Sequence, residues 1–467
     1  MILKQYYLGC LAHASYLVGD EAAGVAAVVD PQRDVDQYLE DAKRLGVRIE
    51  HVFLTHFHAD FVAGHLELKE RTGAAIHLGA RAEAEYPFVP ARDGDSIALG
   101  AVKLGILETP GHTPEGISIT VFDTARDAIS PQAVFTGDTL FIGDVGRPDL
   151  IASIGITAAD LAGLMHDSLH GKLLKLPDAT LVYPAHGAGS MCGKNLSKET
   201  SSTLGQQRLT NYALQPMSRD AFIRMVTTDQ PEAPAYFSYD AMLNRKARAT
   251  LPAAMEKMLR PIPLDEVLRL VNAGACLLDV REPGEWAAAH LGGSVNIGLS
   301  GKFATWAGTL LDRERPIVIV AEPGGEIEAA TRLGRIGFDQ VVGYLDGGMH
   351  ALSSRPELVQ SLSRVAAREL AAALGSAAPP IVLDVRNDGE RADKRIPGSR
   401  HIPLGQLARR AAELPKGASI VVQCASGFRS MIAASLLERQ GWHGLTDLIG
   451  GIAAWESLSL PVEVGRG

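Results

Sequence analysis

Short apolar runs separated by polar, glycine-rich turns dominate the first part of the chain. Residues around Ala14-Ser15-Tyr16-Leu17-Val18 alternate, turn at Gly19-Asp20 and resume as Gly24-Val25-Ala26-Ala27-Val28-Val29-Asp30. That pattern predicts a hairpin whose second strand is buried. Asp34 to Leu45 predicts an amphipathic helix with Val35, Leu39, Ala42 and Leu45 on one face, stopped at Gly46. A strand at His51-Val52-Phe53-Leu54 then runs into Thr55-His56-Phe57-His58-Ala59-Asp60-Phe61. A helix over Leu66 to Thr72 and strands at Ala75-Ile76-His77-Leu78 and Val102 to Leu107 follow, the last leading into Thr109-Pro110-Gly111-His112-Thr113. Ala133 to Leu140 and Thr180 to Gly187 repeat the theme, a strand ending at Asp138 and one ending at His186. The stretch from Asn195 to Arg260 is polar, then helical in pattern over Arg208 to Tyr212 and Ala241 to Leu259, with Pro231 and Pro234 marking an irregular connection. Pro261-Ile262-Pro263 is the strongest boundary signal.

A His or Asp after a strand ordinarily caps a turn or a helix. Here four successive strand ends finish in such residues, three of them beside Gly or Pro. A metal site built from distant segments needs its ligands on loops fixed by a rigid sheet, which is what this arrangement supplies.

Beyond Pro263 the chain repeats itself at a period of roughly 105 residues, near the size of a small domain. Leu277-Leu278-Asp279-Val280-Arg281-Glu282-Pro283-Gly284-Glu285 recurs as Val382-Leu383-Asp384-Val385-Arg386-Asn387-Asp388-Gly389-Glu390, and each copy closes on a glycine pair, Gly347-Gly348 or Gly450-Gly451. Strands alternating with helices predict a parallel α/β sheet in each. The second copy runs from Ile420-Val421-Val422-Gln423 into Cys424-Ala425-Ser426-Gly427-Phe428-Arg429-Ser430 and a helix over Met431 to Arg439. A cysteine between a strand end and a helix N-terminus faces free backbone N–H groups and the positive dipole end, which favour a thiolate, a persulfide anion or an oxyanion. Ala425, Ser426, Gly427 and Phe428 would form the cradle, and the Arg429 fork would close it. The first copy has Ala321-Glu322-Pro323-Gly324-Gly325-Glu326 there, with no cysteine or arginine, so it is expected to be inactive.

Composition narrows the classes. At roughly 150 residues per domain, 467 residues suggest about three domains. A hydrophobic content of 46% with 21% charge is ordinary for packed domains, and a net charge of −9 offers no footprint for nucleic acid or an anionic membrane. The first residues lack the apolar core of a signal peptide, and no run approaches membrane-spanning length. Four cysteines without a CxxC pair suit a reducing compartment, so a cytoplasmic protein is expected.

The order His56-x-His58-x-Asp60, His112, Asp138, His186 resembles the metallo-β-lactamase fold, an αββα sandwich, over about the first half of the chain. Both repeats resemble rhodanese domains. The expected architecture is therefore a multidomain α/β protein: residues 1–258 a metallo-β-lactamase-fold domain, 259–358 a rhodanese-like domain without its cysteine, and 359–467 a rhodanese domain carrying Cys424. At Phe61 the chain departs from dinuclear zinc hydrolases of the fold, which usually carry a further His; His65 lies a helical turn further on. That departure favours one metal held by His56, His112 and Asp138, a facial triad suited to non-haem Fe(II). The segments Gly137 to Leu150 and Pro184 to Gly193 are similar to the persulfide dioxygenase branch. The resemblance implies one Fe(II) per chain on His56, His112 and Asp138, with His58, Asp60 and His186 orienting ligands or bound water.

Arg147, Tyr183 and Cys192 fall on the expected substrate side. Two readings of Arg147 stand, a substrate-binding or loop-ordering cation, or a surface ion pair; two of Cys192 stand, a thiol exposed by Gly187, Gly189 and Gly193, or a packing residue. The implied substrates are O₂ and a small-molecule persulfide such as glutathione persulfide. Sulfite and thiosulfate would pass through Cys424 and Arg429, and a homo-oligomer is compatible with the sequence. The competing function is a zinc-dependent thioester hydrolase like glyoxalase II with a passenger rhodanese module.

Overall fold

The structure, a computed structural model, describes all residues except 151–154, 229, 231–232 and 466–467, so Pro231 lies outside the described residues. The chain divides into two compact units, Met1–Ala254 with Gly334–Gly337, and Met255–Leu333 with Phe338–Gly467. Among the described residues no helix is long and apolar enough to cross a membrane.

The first unit is built on two six-stranded sheets. One starts from antiparallel strands Ile2–Leu8 and His13–Asp20 and continues through Val25–Val29, Arg48–Phe53, Ala75–Gly79 and Val89–Ala91, the last four parallel. The other runs Ser202–Thr203, Leu181–Pro184, Ala133–Gly137, Ile117–Asp123, Val102–Glu108, Ser96–Leu99. Alternation puts Tyr16, Val18, Val29 and Phe53 of the first sheet against Leu104, Ile106, Ile119, Val121 and Phe135 of the second, a core from which water is excluded. On the outer face of the second sheet, Val134 and Val182 pack on Met165 and Leu169 of helix Ala158–Gly171 and Phe222 of helix Arg219–Thr227. Helices Asp36–Leu45 and His65–Thr72 accompany the first sheet. This is the αββα sandwich that the motif order implied.

Three local expectations change. Strand Ile2–Leu8 and strand Ile117–Asp123 complete the sheets where the pattern gave none. The expected helix over Ala241 to Leu259 is two, Phe237–Arg245 and Leu251–Met258. Pro252 explains the break, since proline cannot donate the helical hydrogen bond and is tolerated only in a first turn.

The second unit contains the duplication. Each copy has a five-stranded parallel sheet of identical order: Pro261–Ile262, Val341–Leu345, Ile317–Val320, Cys276–Asp279, Val295–Asn296, and then Ser363–Val365, Leu445–Leu448, Ile420–Gln423, Ile381–Asp384, Arg400–His401. The same ion pair locks both frames: Arg281 Nη2 donates to Asp279 Oδ2 at 2.6 Å, and Arg386 Nη2 to Asp384 Oδ2 at 2.7 Å, all four residues buried. Helix Phe428–Arg439 starts three residues earlier than expected, so Arg429 and Ser430 lie in its first turn.

Candidate functional site

The four ligand-bearing strand ends meet at one edge of the sandwich. There Ile117 N–H donates to the Thr55 carbonyl at 2.8 Å and Ala14 N–H to the Ala185 carbonyl at 2.7 Å, joining the two sheets. Gly137, at φ +52°, ends its strand on a register shift that turns Asp138 inward; a Cβ there would meet Thr55 Oγ1 at 2.5 Å.

His56 Nε2 and His112 Nε2 lie 3.7 and 3.5 Å from Asp138 Oδ2, all three side chains buried. Ligand atoms about 2.1 Å from one cation at right angles would stand roughly 3 Å apart, close to these separations. His56 Nε2 and Asp138 Oδ2 are buried without a hydrogen-bond partner, an arrangement that costs free energy unless a cation sits between them. Burial, reinforced for His56 by the neighbouring His58, holds the His56 and His112 imidazoles below their ordinary value, hence neutral. Burial alone would raise the Asp138 carboxyl, but His186 and His56 outweigh it and hold it well below. Neutral imidazoles beside a carboxylate are the protonation states a metal requires. The donor set therefore fits a metal ion.

The surroundings fix the orientation. His112 Nδ1 lies 2.8 Å from the Arg147 carbonyl, which can only accept, so Nε2 faces the site unprotonated. Thr55 Oγ1 donates to Asp30 Oδ2 at 2.8 Å and therefore accepts from His56 Nδ1 at 2.9 Å, with the same result. Asp30 also accepts from Thr55 N at 2.7 Å and sits 3.0 Å from His58 Nε2. It is a non-glycine residue at φ +51°, a strained conformation of the kind that gathers at functional sites. Asp30 and Thr55 escaped the sequence reading, although Asp30 also ends a buried strand.

His58, Asp60 and His186 form a second trio whose ligand atoms lie within 4.8 Å of one another. His186 Nδ1 holds Asp138 Oδ1 at 2.8 Å, while its Nε2 lies 2.9 Å from Asp60 Oδ2. Burial opposes charge on His186, yet Asp138 and Asp60 outweigh it and hold the imidazole well above its ordinary value. Phe61 packs on His58 with ring centroids 4.4 Å apart, filling the place of a further imidazole. His65 belongs to neither trio; its buried ring lies against Tyr86.

Three expected substrate residues fare differently. Arg147 is buried and holds Asp149 through Nε at 2.8 Å and Nη2 at 2.7 Å, so the pair is not on the surface at its cationic end. Cys192 is 1% exposed, as the packing reading had it and not the exposed-thiol one, because the glycine-rich loop folds under: Arg147 N–H donates to the Cys192 carbonyl at 2.9 Å. Its thiol lies with Asp138 and His186, and burial followed by Asp60 and Asp138 pushes its pKa well up. Tyr183 turns away from the cluster. Its ring packs in the inter-sheet core against Tyr16 and Phe135, the face that strand alternation assigns it, which removes it from the substrate side.

The tight turn after Asp138 gives a direct prediction. A Cβ on Gly146 would stand 1.9 Å from the Asp138 carbonyl and 3.0 Å from His112 Nδ1. Gly146→Ala should lower metal affinity by about 10- to 100-fold. Metal content after dialysis, with circular dichroism as a folding control, checks it; a wild-type metal content would contradict it.

In the second unit Cys424 follows the strand end and is buried, with Gly427 N–H donating to its Sγ at 3.1 Å and Gly427 at φ +109°. Ala425 and Phe428 are half-buried and Ser426 is exposed. Gly451 supports the loop from below: a Cβ there would meet the Cys424 carbonyl at 2.2 Å, and Ile452 N–H donates to that carbonyl at 2.9 Å. Arg429 does not close the cradle as expected. Its fork holds Glu390 at 2.6 and 2.7 Å, a partner 39 residues away.

The comparisons with known proteins agree with the fold of both units. Residues 8–186 match the metallo-β-lactamase superfamily profile, and residues 263–355 and 366–458 match the rhodanese-like domain. The human mitochondrial persulfide dioxygenase ETHE1 is 26% identical over 255 residues, 54% of this chain and 91% of the relative. A hydroxyacylglutathione hydrolase of Gloeobacter violaceus is 30% identical over 281 residues, 59% of this chain and 92% of the relative. The crystal structure of a metallo-β-lactamase from Staphylococcus aureus aligns with a TM-score of 0.66 at 30% identity, covering 74% of this chain and 98% of that one.

Proposed function

Because the chain belongs to the metallo-β-lactamase superfamily and carries two rhodanese-like domains after that fold, we propose that it is a non-haem iron persulfide dioxygenase coupled to sulfur transfer through Cys424. On this reading residues 1–258 carry the oxidation, 359–467 the transfer, and 259–358 form the domain without a cysteine. A thiol persulfide, O₂ and water give the thiol and sulfite: the sulfane sulfur loses four electrons and O₂ gains them. Cys424 then carries sulfane sulfur between persulfide, sulfite and thiosulfate.

The observation that carries the reading is the buried two-histidine, one-carboxylate set of His56, His112 and Asp138, with Phe61 packed on His58 of the second trio. Bound there, Fe(II) would supply a Lewis acid with open positions and one-electron chemistry toward O₂. The chain's own residues present the ligands. His186 holds one oxygen of Asp138 and leaves the other facing His56 and His112, while the Arg147 carbonyl and Thr55 keep the proton of each imidazole on Nδ1. The buried surroundings exclude bulk water from these contacts. Cys192 and Arg147 flank the set, Arg147 ordering the loop through Asp149 and the Cys192 carbonyl. A cavity of about 90 Å³ lined by Phe57, Arg81, Glu83, Pro114, Glu115 and Arg245 adjoins the loops of His56 and His112.

A second reading has its own observation. The trio His58, Asp60 and His186 offers a second cation site, which a zinc thioester hydrolase would use. Parallel assays separate the two. The account expects sulfite formation and O₂ uptake with glutathione persulfide and no hydrolysis of S-lactoylglutathione; hydrolysis without O₂ uptake would overturn it.

A further inference from the structure

Beneath the Cys424 loop lies a buried polar chain that the sulfur-transfer reading does not use. Cys424 Sγ is 3.6 Å from Ser430 Oγ and donates to it, and Ser430 Oγ donates to Asp447 Oδ1 at 2.6 Å, with the Gly427 carbonyl a longer alternative acceptor at 3.1 Å. Cys424 is 1% exposed, Ser430 and Asp447 0%. Asp447 sits in strand Leu445–Leu448 and its other oxygen accepts from Arg364 Nε at 3.1 Å. Of the charged groups, Arg364 acts on Asp447, while Arg429 acts on Cys424 electrostatically but turns its fork to Glu390.

The duplication supplies an internal comparison. Strand register pairs Val422 with Asp447 and Ile319 with Tyr344, so Tyr344 occupies the place of Asp447 in the first copy. Counting from Val320 and Gln423, which pair with Asp279 and Asp384, Ala321 stands for Cys424, Glu326 for Arg429 and Ile327 for Ser430. The Asp–Arg frame is the same in both copies, whereas cysteine, serine and aspartate are replaced together. A serine and an aspartate kept only for packing would have no reason to go with the thiol.

We propose that Cys424 and Asp447 hold one proton between them through the Ser430 hydroxyl, so that Asp447 takes up the proton when Cys424 becomes the nucleophile. Two hydrogens each move one step: Ser430 gives its proton to Asp447 Oδ1 and takes the thiol proton, and the net charge of the group is unchanged. The thiolate keeps the Gly427 N–H and gains the Ser430 O–H as donors. It attacks the sulfane sulfur of thiosulfate; the Cys424 S–S bond forms as the S–SO₃ bond breaks, and sulfite leaves with the electron pair. Burial pushes the Asp447 carboxyl up, against the opposing pull of Ser430 and Arg364, which suits a proton acceptor. Ser430 and Asp447 are positioning residues in this scheme.

The inference rests on the sulfurtransferase reading, and its test is separable from it. The rate of Cys424 alkylation by iodoacetamide is followed on the full chain from about pH 5 to 10 by mass spectrometry of the Cys424 peptide. A coupled pair titrates in two steps. The wild type should rise in two steps with a plateau between them. Asp447→Asn and Ser430→Ala should rise in one, and Ser430→Thr, which keeps the hydroxyl, should retain both. If Asp447→Asn fails to fold, the two Ser430 variants make the same comparison. A single step in the wild type, superimposable on Ser430→Ala, would overturn the shared proton. Two steps in a protein that transfers no sulfur from thiosulfate to cyanide would uphold the proton sharing and retire the sulfurtransferase reading alone.

Discussion

His112→Ala is expected to abolish persulfide-dependent O₂ uptake, reducing it at least about 1,000-fold, and to strip the metal. The reason is geometric. On the proposed reading His112 would supply one of three ligand atoms, its other nitrogen fixed by the Arg147 carbonyl, and no neighbouring imidazole is free to replace it. His186 is committed to Asp138 and Asp60, and His65 lies away against Tyr86. Alanine leaves only His56 Nε2 and Asp138 Oδ2 facing the position, and a cation offered two donors in place of three is bound far more weakly. An oxygen electrode reads the rate and elemental analysis reads the metal. Retained uptake would remove His112 from the iron site. Rhodanese activity should survive the substitution, since the Cys424 loop is built entirely from the second unit.

Cys424→Ser makes the opposite cut. Thiosulfate-dependent sulfur transfer should fall at least about 100-fold, because a hydroxyl neither ionises at neutral pH nor forms a persulfide. O₂ uptake should stay at its wild-type rate, and the product should shift from thiosulfate to sulfite. Ion chromatography of both anions checks the prediction. An unchanged thiosulfate yield would dispose of a catalytic role for Cys424. The cysteine-less copy cannot compensate, since Ala321 stands where the nucleophile would be and Glu322 and Glu326 follow it.

These two predictions draw on the parts of the molecule that were most legible in the sequence. His56, His112, Asp138 and His186 each end an apolar run, and a strand end is where a sheet delivers a side chain to a common edge. The repeat was legible because two copies share the Asp-Val-Arg and Gly-Gly landmarks. Long-range pairings were not. Nothing near Arg429 announces Glu390, nor near Ser430 announces Asp447, because such partners are fixed by helix placement and strand register. Glycines around Cys192 suggested exposure, but glycine equally permits a loop to fold tightly beneath its neighbours, as this one does. Tyr183 could have been placed by alternation: Val182 faces the helices, so the next side chain faces the core between the sheets. Asp30 was within reach too, as a carboxylate after a buried strand, but its role shows only once Thr55 and His58 are seen to converge on it.

The central claim is a single iron on His56, His112 and Asp138 that drives oxidation of a persulfide. Its most direct test measures metal content and O₂ uptake on glutathione persulfide in the same preparation, before and after chelation and reloading with Fe(II) or Zn(II). The account predicts about one iron per chain, uptake lost on chelation, and recovery with Fe(II) alone. Two zinc ions per chain with no O₂ uptake under any loading would contradict it and return the first unit to the hydrolases.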